Sequence, residues 1–276
     1  MSRPPSTIVI DSETRAFDFQ FTELREYREL FFFLVWRDIK GRYAQSVLGV
    51  GWAVIQPMVS MVVFTVIFGG LASIDSDGVP YQIFSYVALV PWAYYSNALT
   101  DSTGSLVKDK GLVQKIYFPR MILPAAAVLG RLVDFFIAFV FLGAFLIWYS
   151  ITPTLWMLAL PVFIIMMMAS AAGMGMWLGA LAVQYRDVKY GLSFAVQLLM
   201  YAAPVVYPVS YVPEQFRMLY AVNPMVGVIE GFRASILGTT AMPWDLIGVS
   251  AISSVVILLA GAWYFRKKEE VFADVA

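Results

Sequence analysis

The sequence predicts an all-α integral membrane protein, and three observations carry that prediction. Of its 276 residues, 60% are apolar and only 14% are charged, against about half and about a quarter in soluble domains. Long stretches hold no Asp, Glu, Lys or Arg: 43–74, 78–100, 135–185, 190–213 and 246–265. The remaining Lys and Arg gather in alternate connections between those stretches, the asymmetry that sets membrane topology.

A hydrocarbon core about 30 Å thick needs about 20 apolar residues in helical form. The stretch 135–185 is long enough for two spans and breaks at YSITPT (149–154), where Pro153 and small polar residues signal a turn. Six spans result, near 48–70, 84–104, 121–149, 155–183, 190–210 and 245–265. The segment up to Arg42 holds seven basic residues. The 71–83 loop holds none, only Asp75 and Asp77, and the 149–154 turn also holds none. Lys108, Lys110, Lys115 and Arg120 precede the third span, Arg186 and Lys189 follow the fourth, and Arg266, Lys267 and Lys268 follow the sixth. Only Arg217 and Arg233 fall on the opposite side, so both termini are expected in the cytoplasm. The N-terminus lacks a basic n-region leading into an apolar h-region, so the first span is expected to act as the insertion signal.

Four regions follow: a cytoplasmic segment 1–21, an interface helix 22–42, a membrane domain 43–268 and a cytoplasmic tail 269–276. In TELREYRELFFFLVWRDIKGR, Thr22 is a candidate cap, and Leu24, Tyr27, Phe31, Leu34 and Val35 fall on one helical face. The apolar run Leu30–Trp36 is too short to span, so an amphipathic helix in the interface plane is expected. Lipid attraction alone accounts for its basic end, and docking on a cytosolic partner is the added alternative. In the 211–244 connection, Asn223-Pro224 divides two short apolar stretches, neither of which can span. Such pieces are expected to dip into the membrane and return as re-entrant helices between the fifth and sixth spans.

The composition excludes whole classes of chemistry. There is no cysteine and no histidine, so thiol catalysis, disulfides, an H-E-x-x-H zinc site and a histidine base are absent. Zero net charge gives no global basic field for nucleic acid. No G-x-x-x-x-G-K-[ST] occurs, and the cytoplasmic segments are too short for a nucleotide-binding domain, so any ATP that drives this chain is bound by another. Asp101, Asp134 and Glu230 are the few acidic residues at membrane depth.

Arg131 and Asp134 stand three apart on the third span, and Glu230 and Arg233 stand three apart in the outer connection. A mid-membrane charge costs about 2.5–3.5 kcal/mol or more, so each pair reads first as a structural lock. Contact with an anionic substrate group is the alternative for Arg131 and Asp134. Trp92, Tyr94 and Tyr95 lie deep in the second span, and Tyr201 and Tyr207 lie along the fifth. With Trp52 they are candidate channel aromatics, able to stack on sugar rings and to hydrogen-bond; ordinary helix packing explains any one of them.

GRYAQSVLGVGWAVIQP (41–57), VQKIYFPR (113–120), YRDVK (185–189), PVVYP (204–208) and NPMVGVIEGFR (223–233) resemble, in order and spacing, the membrane subunit of type-2 ABC exporters. The similarity runs from about residue 24 to 268 and is nearest to the polysaccharide-exporting branch of Wzm-, TagG- and KpsM-like permeases. The resemblance implies a permease of the bacterial cytoplasmic (inner) membrane that pairs with a second copy of itself and with two copies of a nucleotide-binding ATPase. ATP and magnesium would reside in that ATPase, with no cofactor bound by this chain. The implied cargo is an undecaprenyl-diphosphate-type lipid-linked glycan of O-antigen, capsule or teichoic acid type. Arg25, Arg28, Lys108, Lys110, Lys115 and Arg120 would dock on the ATPase. Lys40 and Arg42 would meet the diphosphate headgroup. Gly49 and Gly51, by allowing close helix approach, and Pro57, by bending the first span, would form a gate. Export of a drug, lipid or small lipo-oligosaccharide by the same fold is the alternative. A membrane-embedded transferase and an ion-coupled carrier are the readings from other classes. The first needs clustered acidic or histidine residues at a membrane face, and the second would transport without a nucleotide-binding partner.

Overall fold

A computed structural model describes residues 26–44, 46–269 and 272, and among these no residue is in a strand. The expected positions 1–25, including Thr22, Leu24 and Arg25, lie outside the described residues, as does most of the 269–276 tail.

The interface helix is α1, Arg28–Tyr43. Its expected face is the one that packs: Leu34 is buried, and Tyr27, Leu30, Phe31 and Val35 lie against the same apolar cluster. The opposite side is apolar too, with Phe32, Phe33 and Trp36 61–67% exposed. The simple amphipathic picture is therefore corrected: α1 has one apolar face packed on protein and a second apolar face left exposed.

Gly49–Gly51 form a 3-10 turn that leads into α2, Trp52–Phe64, and then into a π-helical turn, Thr65–Leu71. Together they make a continuous 23-residue helix, Gly49–Leu71. Gly49 sits at φ +47°, where a side chain would be strained. The central helix is α3, Tyr81–Lys108. The short α4, Lys110–Lys115, turns the corner. The expected third span divides into α5, Ile122–Gly130, and α6, Leu132–Trp148, joined at Arg131. There the Arg131 N–H donates to Val128 O at 3.3 Å, a tightened turn in place of the α-helical bond.

Thr154 caps the next element, its side chain accepting from Trp156 N; Leu155–Ala159 form a 3-10 turn and α7 runs Leu160–Gln184. The expected fifth span is helical only through α8, Asp187–Tyr201. Pro204 and Pro208 follow, and a residue before proline is driven out of the helical region. Outside α8, α9 covers Glu214–Tyr220 and α10 Pro224–Ile236, with Asn223 capping α10 through Met225 N. All thirteen residues of α10 are buried. Last comes α11, Trp244–Lys268.

Four of these helices are long and apolar enough to cross a membrane: Gly49–Leu71, Ile122–Trp148, Leu155–Gln184 and Trp244–Lys268. The second and fifth expected spans fall on α3 and α8. Ser85, Ser102, Thr103 and Ser105 of α3 are buried by protein, so that helix has little need of an apolar surface. With its 15 residues, α8 rises only about 22 Å.

The main core is built around α3, which packs against α2, α5, α6, α7 and α10. The tightest seam is elsewhere, where Gly173 of α7 meets Gly261 of α11. A side chain at Gly173 would collide with the Ile257 carbonyl, and one at Gly261 with Gly173 itself. The expectation that Gly49 and Gly51 supply close helix approach is corrected by the same test. Nothing lies within 4 Å of a side chain built at Gly49, and Gly51 would meet only Ile55 and Leu48 of its own segment.

Candidate functional site

At the C-terminal end of α1, four charges converge. Arg42 Nη1 donates to Asp134 Oδ2 at 2.9 Å and to Gly130 O at 3.1 Å. Arg131 donates from Nη1 to the same Asp134 oxygen at 3.0 Å and from Nε to Asp101 Oδ2 at 2.7 Å. Arg42 Nη2 closes the ring at 3.6 Å from Asp101. The Tyr43 hydroxyl donates to the other Asp134 oxygen. Burial, reinforced by that carboxylate, pushes the Tyr43 hydroxyl up to about 12, so it keeps its proton and remains a donor. The sequence spacing foresaw only the Arg131–Asp134 contact; α3 brings Asp101 and α1 brings Arg42.

Above the ring lies a cleft of about 140 Å³, framed by α1, the first span, α3 and the α5–α6 joint. Trp52, Gln56 and Pro57 line it from the first span, and Tyr94 and Asn97 from α3. Proline at 57 cannot donate to the Ala53 carbonyl one turn back, and Ala53 also borders the cleft. Trp52 is half-exposed, whereas Tyr94 is buried and donates to Val128 O at 3.0 Å.

A second charge pair lies in α10. Arg233 and Glu230 are 2.9 Å apart and almost fully buried. Arg233 Nη2 donates to Val205 O at 2.9 Å and Nη1 to Tyr207 O at 3.4 Å, so the guanidinium holds the PVVYP loop against α10. Tyr81 of α3 donates to Val206 O at 2.6 Å in the same loop. Its neighbourhood includes Asp77 in the 71–83 loop, whose carboxyl is pushed above the usual range by burial and by Asp75, against the pull of Arg233.

The candidate channel aromatics separate. Trp92 and Tyr95 are 5% exposed and meet in a tilted ring contact within the core, so they present no open face on this chain. Tyr201 is half-exposed on α8. Tyr207 donates to Tyr201 O at 2.7 Å and meets Tyr220 at 3.1 Å.

Where α1 meets the α3–α4 corner, Arg37 of α1 bonds Asp109 at 2.6 Å, and Lys108 bonds Asp38 at 3.1 Å. The Asp109 carboxylate holds the Arg37 guanidinium above its ordinary range. Arg28, Lys110 and Lys115 are exposed. Arg120 is turned inward, its guanidinium and backbone N–H both bound to Glu269. Lys40 is exposed.

The family model of the ABC-2 type transporter matches residues 29–237. The chain belongs to the ABC-2 type transporter family. It is 27% identical over 254 residues to an O-antigen export system permease protein of Myxococcus xanthus, covering 91% of this chain and 97% of that protein. A Klebsiella pneumoniae protein of the same description is 25% identical over 240 residues, 87% of this chain and 92% of the relative. A polysialic acid transport protein of Escherichia coli is 21% identical over 240 residues, with 85% and 91% covered. As an ABC-2 permease the chain is a multi-pass protein of the bacterial inner membrane. Its exposed Val59, Val62, Val66 and Phe194 are then surfaces for lipid or for another transmembrane chain.

In this ABC-2 permease, several site residues escaped sequence reasoning. Asp38 and Asp109 are among them. Gln56 and Asn97, single amides in apolar runs, were the available signal for the cleft. Phe84, whose ring centre lies 3.7 Å from the Arg233 guanidinium carbon, carried none, because Arg233 is distant along the chain.

Proposed function

We propose that this ABC-2 permease exports a lipid-diphosphate-linked polysaccharide of O-antigen, capsule or teichoic acid type. Two copies would form the path, driven by two copies of a separate ATPase that holds ATP and magnesium. The observation that carries this reading is the near full-length similarity to proteins named as O-antigen export permeases. The missing P-loop motif is consistent with an external motor.

In this reading the chain crosses the membrane six times with both termini in the cytoplasm, and α9 and α10 re-enter from the outer side. The ATPase approaches the corner where α1 and α4 are clipped together, meeting Arg28, Lys110 and Lys115. Lys40, the open cation at the end of α1, meets the diphosphate headgroup, and Arg42 reaches it only by loosening its 3.6 Å contact with Asp101. Trp52 and Tyr201, half-exposed, offer stacking faces to sugar rings.

Reconstitution with the cognate ATPase tests the proposal. Undecaprenyl-diphosphate-linked glycan should raise ATP turnover, and Lys40→Ala should blunt that rise while leaving ATPase association intact. Stimulation by drugs or glycan-free lipids, with none by the glycan, would transfer the cargo to those classes.

A further inference from the structure

The ring beneath the cleft has two cations and two anions, all mutually paired, so it has no net charge with which to capture an ion. Its chemistry is that of a fastening, and it joins three elements. The packed apolar face of α1 and the Arg37–Asp109 and Lys108–Asp38 pairs hold its length to the membrane domain, and at its C-terminal end the chain and the ring join it there. Along the chain Val47 and Leu48 stand exposed, the Ser46 N–H donates to Tyr43 O at 3.4 Å and the Ser46 hydroxyl accepts from the Gly49 N–H at 3.0 Å. The ring adds side-chain bonds at that end, with Arg42 bonded to both Gly130 O and Asp134 across the α5–α6 joint. That joint is where helical bonding is interrupted at Arg131.

We propose that Asp134 is a positioning residue that pins the end of α1 to the α5–α6 joint, so that a push on the cytoplasmic helix moves the base of α6. This rests on the reading of the chain as an ATP-driven permease. The Arg42–Asp134 bond stays closed through the cycle, and α1 and the Arg131 joint travel as one body. Asp134 serves because one carboxylate accepts from both α1 and α6: Arg42 and Arg131 on one oxygen, Tyr43 on the other. Charge-assisted bonds of this kind are the strong ones, and the 16–35% exposure of the two carboxylates keeps their desolvation modest.

The native chain has no cysteine, and a Cβ on Gly130 would lie 3.9 Å from Ile39 Cγ1, so the two positions face each other across the α1–α5 contact. Ile39→Cys with Gly130→Cys, in the full chain assembled with its ATPase in isolated membranes, reads the distance directly. We expect equal cross-linking rates without nucleotide and with ATP trapped, and continued export of undecaprenyl-diphosphate-linked glycan by the cross-linked complex. Cross-linking lost on trapping ATP, or export abolished by the disulfide, would overturn the closed pin. In a second arm, Asp134→Asn should lower export about tenfold at unchanged ATP turnover, and the disulfide should restore it. A parallel fall of turnover and export that the disulfide does not repair would reduce Asp134 to a folding role. The cross-linking rates need no cargo, so a wild-type complex insensitive to the glycan would strike the transport reading and leave the pin judged on its own data.

Discussion

The guanidinium carbon of Arg233 lies 3.7 Å from the centre of the Phe84 ring. The ring covers a cation whose Nε finds no oxygen partner, while Glu230 and the Val205 and Tyr207 carbonyls occupy its other nitrogens. Three segments far apart in sequence meet at this one side chain: α3, the PVVYP loop and α10.

Removing it strands an anion. Arg233→Ala leaves Glu230 buried without its partner, and breaking such a pair costs about 3–5 kcal/mol. Thermal unfolding in detergent should show a large loss for Arg233→Ala and a smaller one for Arg233→Lys, which keeps the charge but not the planar fork. Equal stability of all three proteins would mean that the clamp contributes nothing.

The Gly173–Gly261 seam predicts an asymmetric glycine series. Gly173→Leu must push α7 from α11 and should destabilise by about 1–3 kcal/mol or more. Gly143→Ala, where nothing lies within 4 Å, should instead stabilise by about 0.5–1 kcal/mol. Melting temperatures of the two variants should move in opposite directions.

Exposed Lys110 and Lys115 should steer the ATPase. Reversing both, Lys110→Glu with Lys115→Glu, is expected to weaken co-purification most at low salt, with the difference shrinking as salt screens the charges. Salt-independent loss would point to a folding defect at the corner.

Asp77 predicts a pH effect with a definite sign. Its folded pKa is raised above the unfolded value. Its contribution is therefore present below the ordinary carboxylate range and is lost as pH rises through the raised pKa. Asp77→Asn should remove that component of the loss and give a small gain near neutrality. The residue also adopts φ +54°, where asparagine is well tolerated. A pH–stability curve unchanged by the substitution would exclude this effect.

Much of the architecture was legible because it depends on local composition. The charge-free runs led to the four long apolar helices, and Asn223-Pro224 marked a real boundary, since asparagine caps and proline opens α10. The fifth segment was overextended because its apolar run continues past Tyr201, and hydropathy does not register that Pro204 and Pro208 interrupt the helix. The Gly173–Gly261 seam was not legible for a related reason: Gly49 and Gly173 look alike in sequence, and only the neighbouring helix distinguishes a turn from a contact.

The sequence alone determined the membrane class, the approximate course of the helices and the missing nucleotide motif, because hydropathy and motif are properties of contiguous residues. The tertiary structure decided the partnerships: Arg42 with Asp134 across 92 positions, Arg233 with the 205–207 carbonyls, and Trp92 and Tyr95 in the core rather than at an open face. Charges and rings find such partners only when helices distant along the chain pack together, and no periodicity within one segment encodes which helix will lie alongside it.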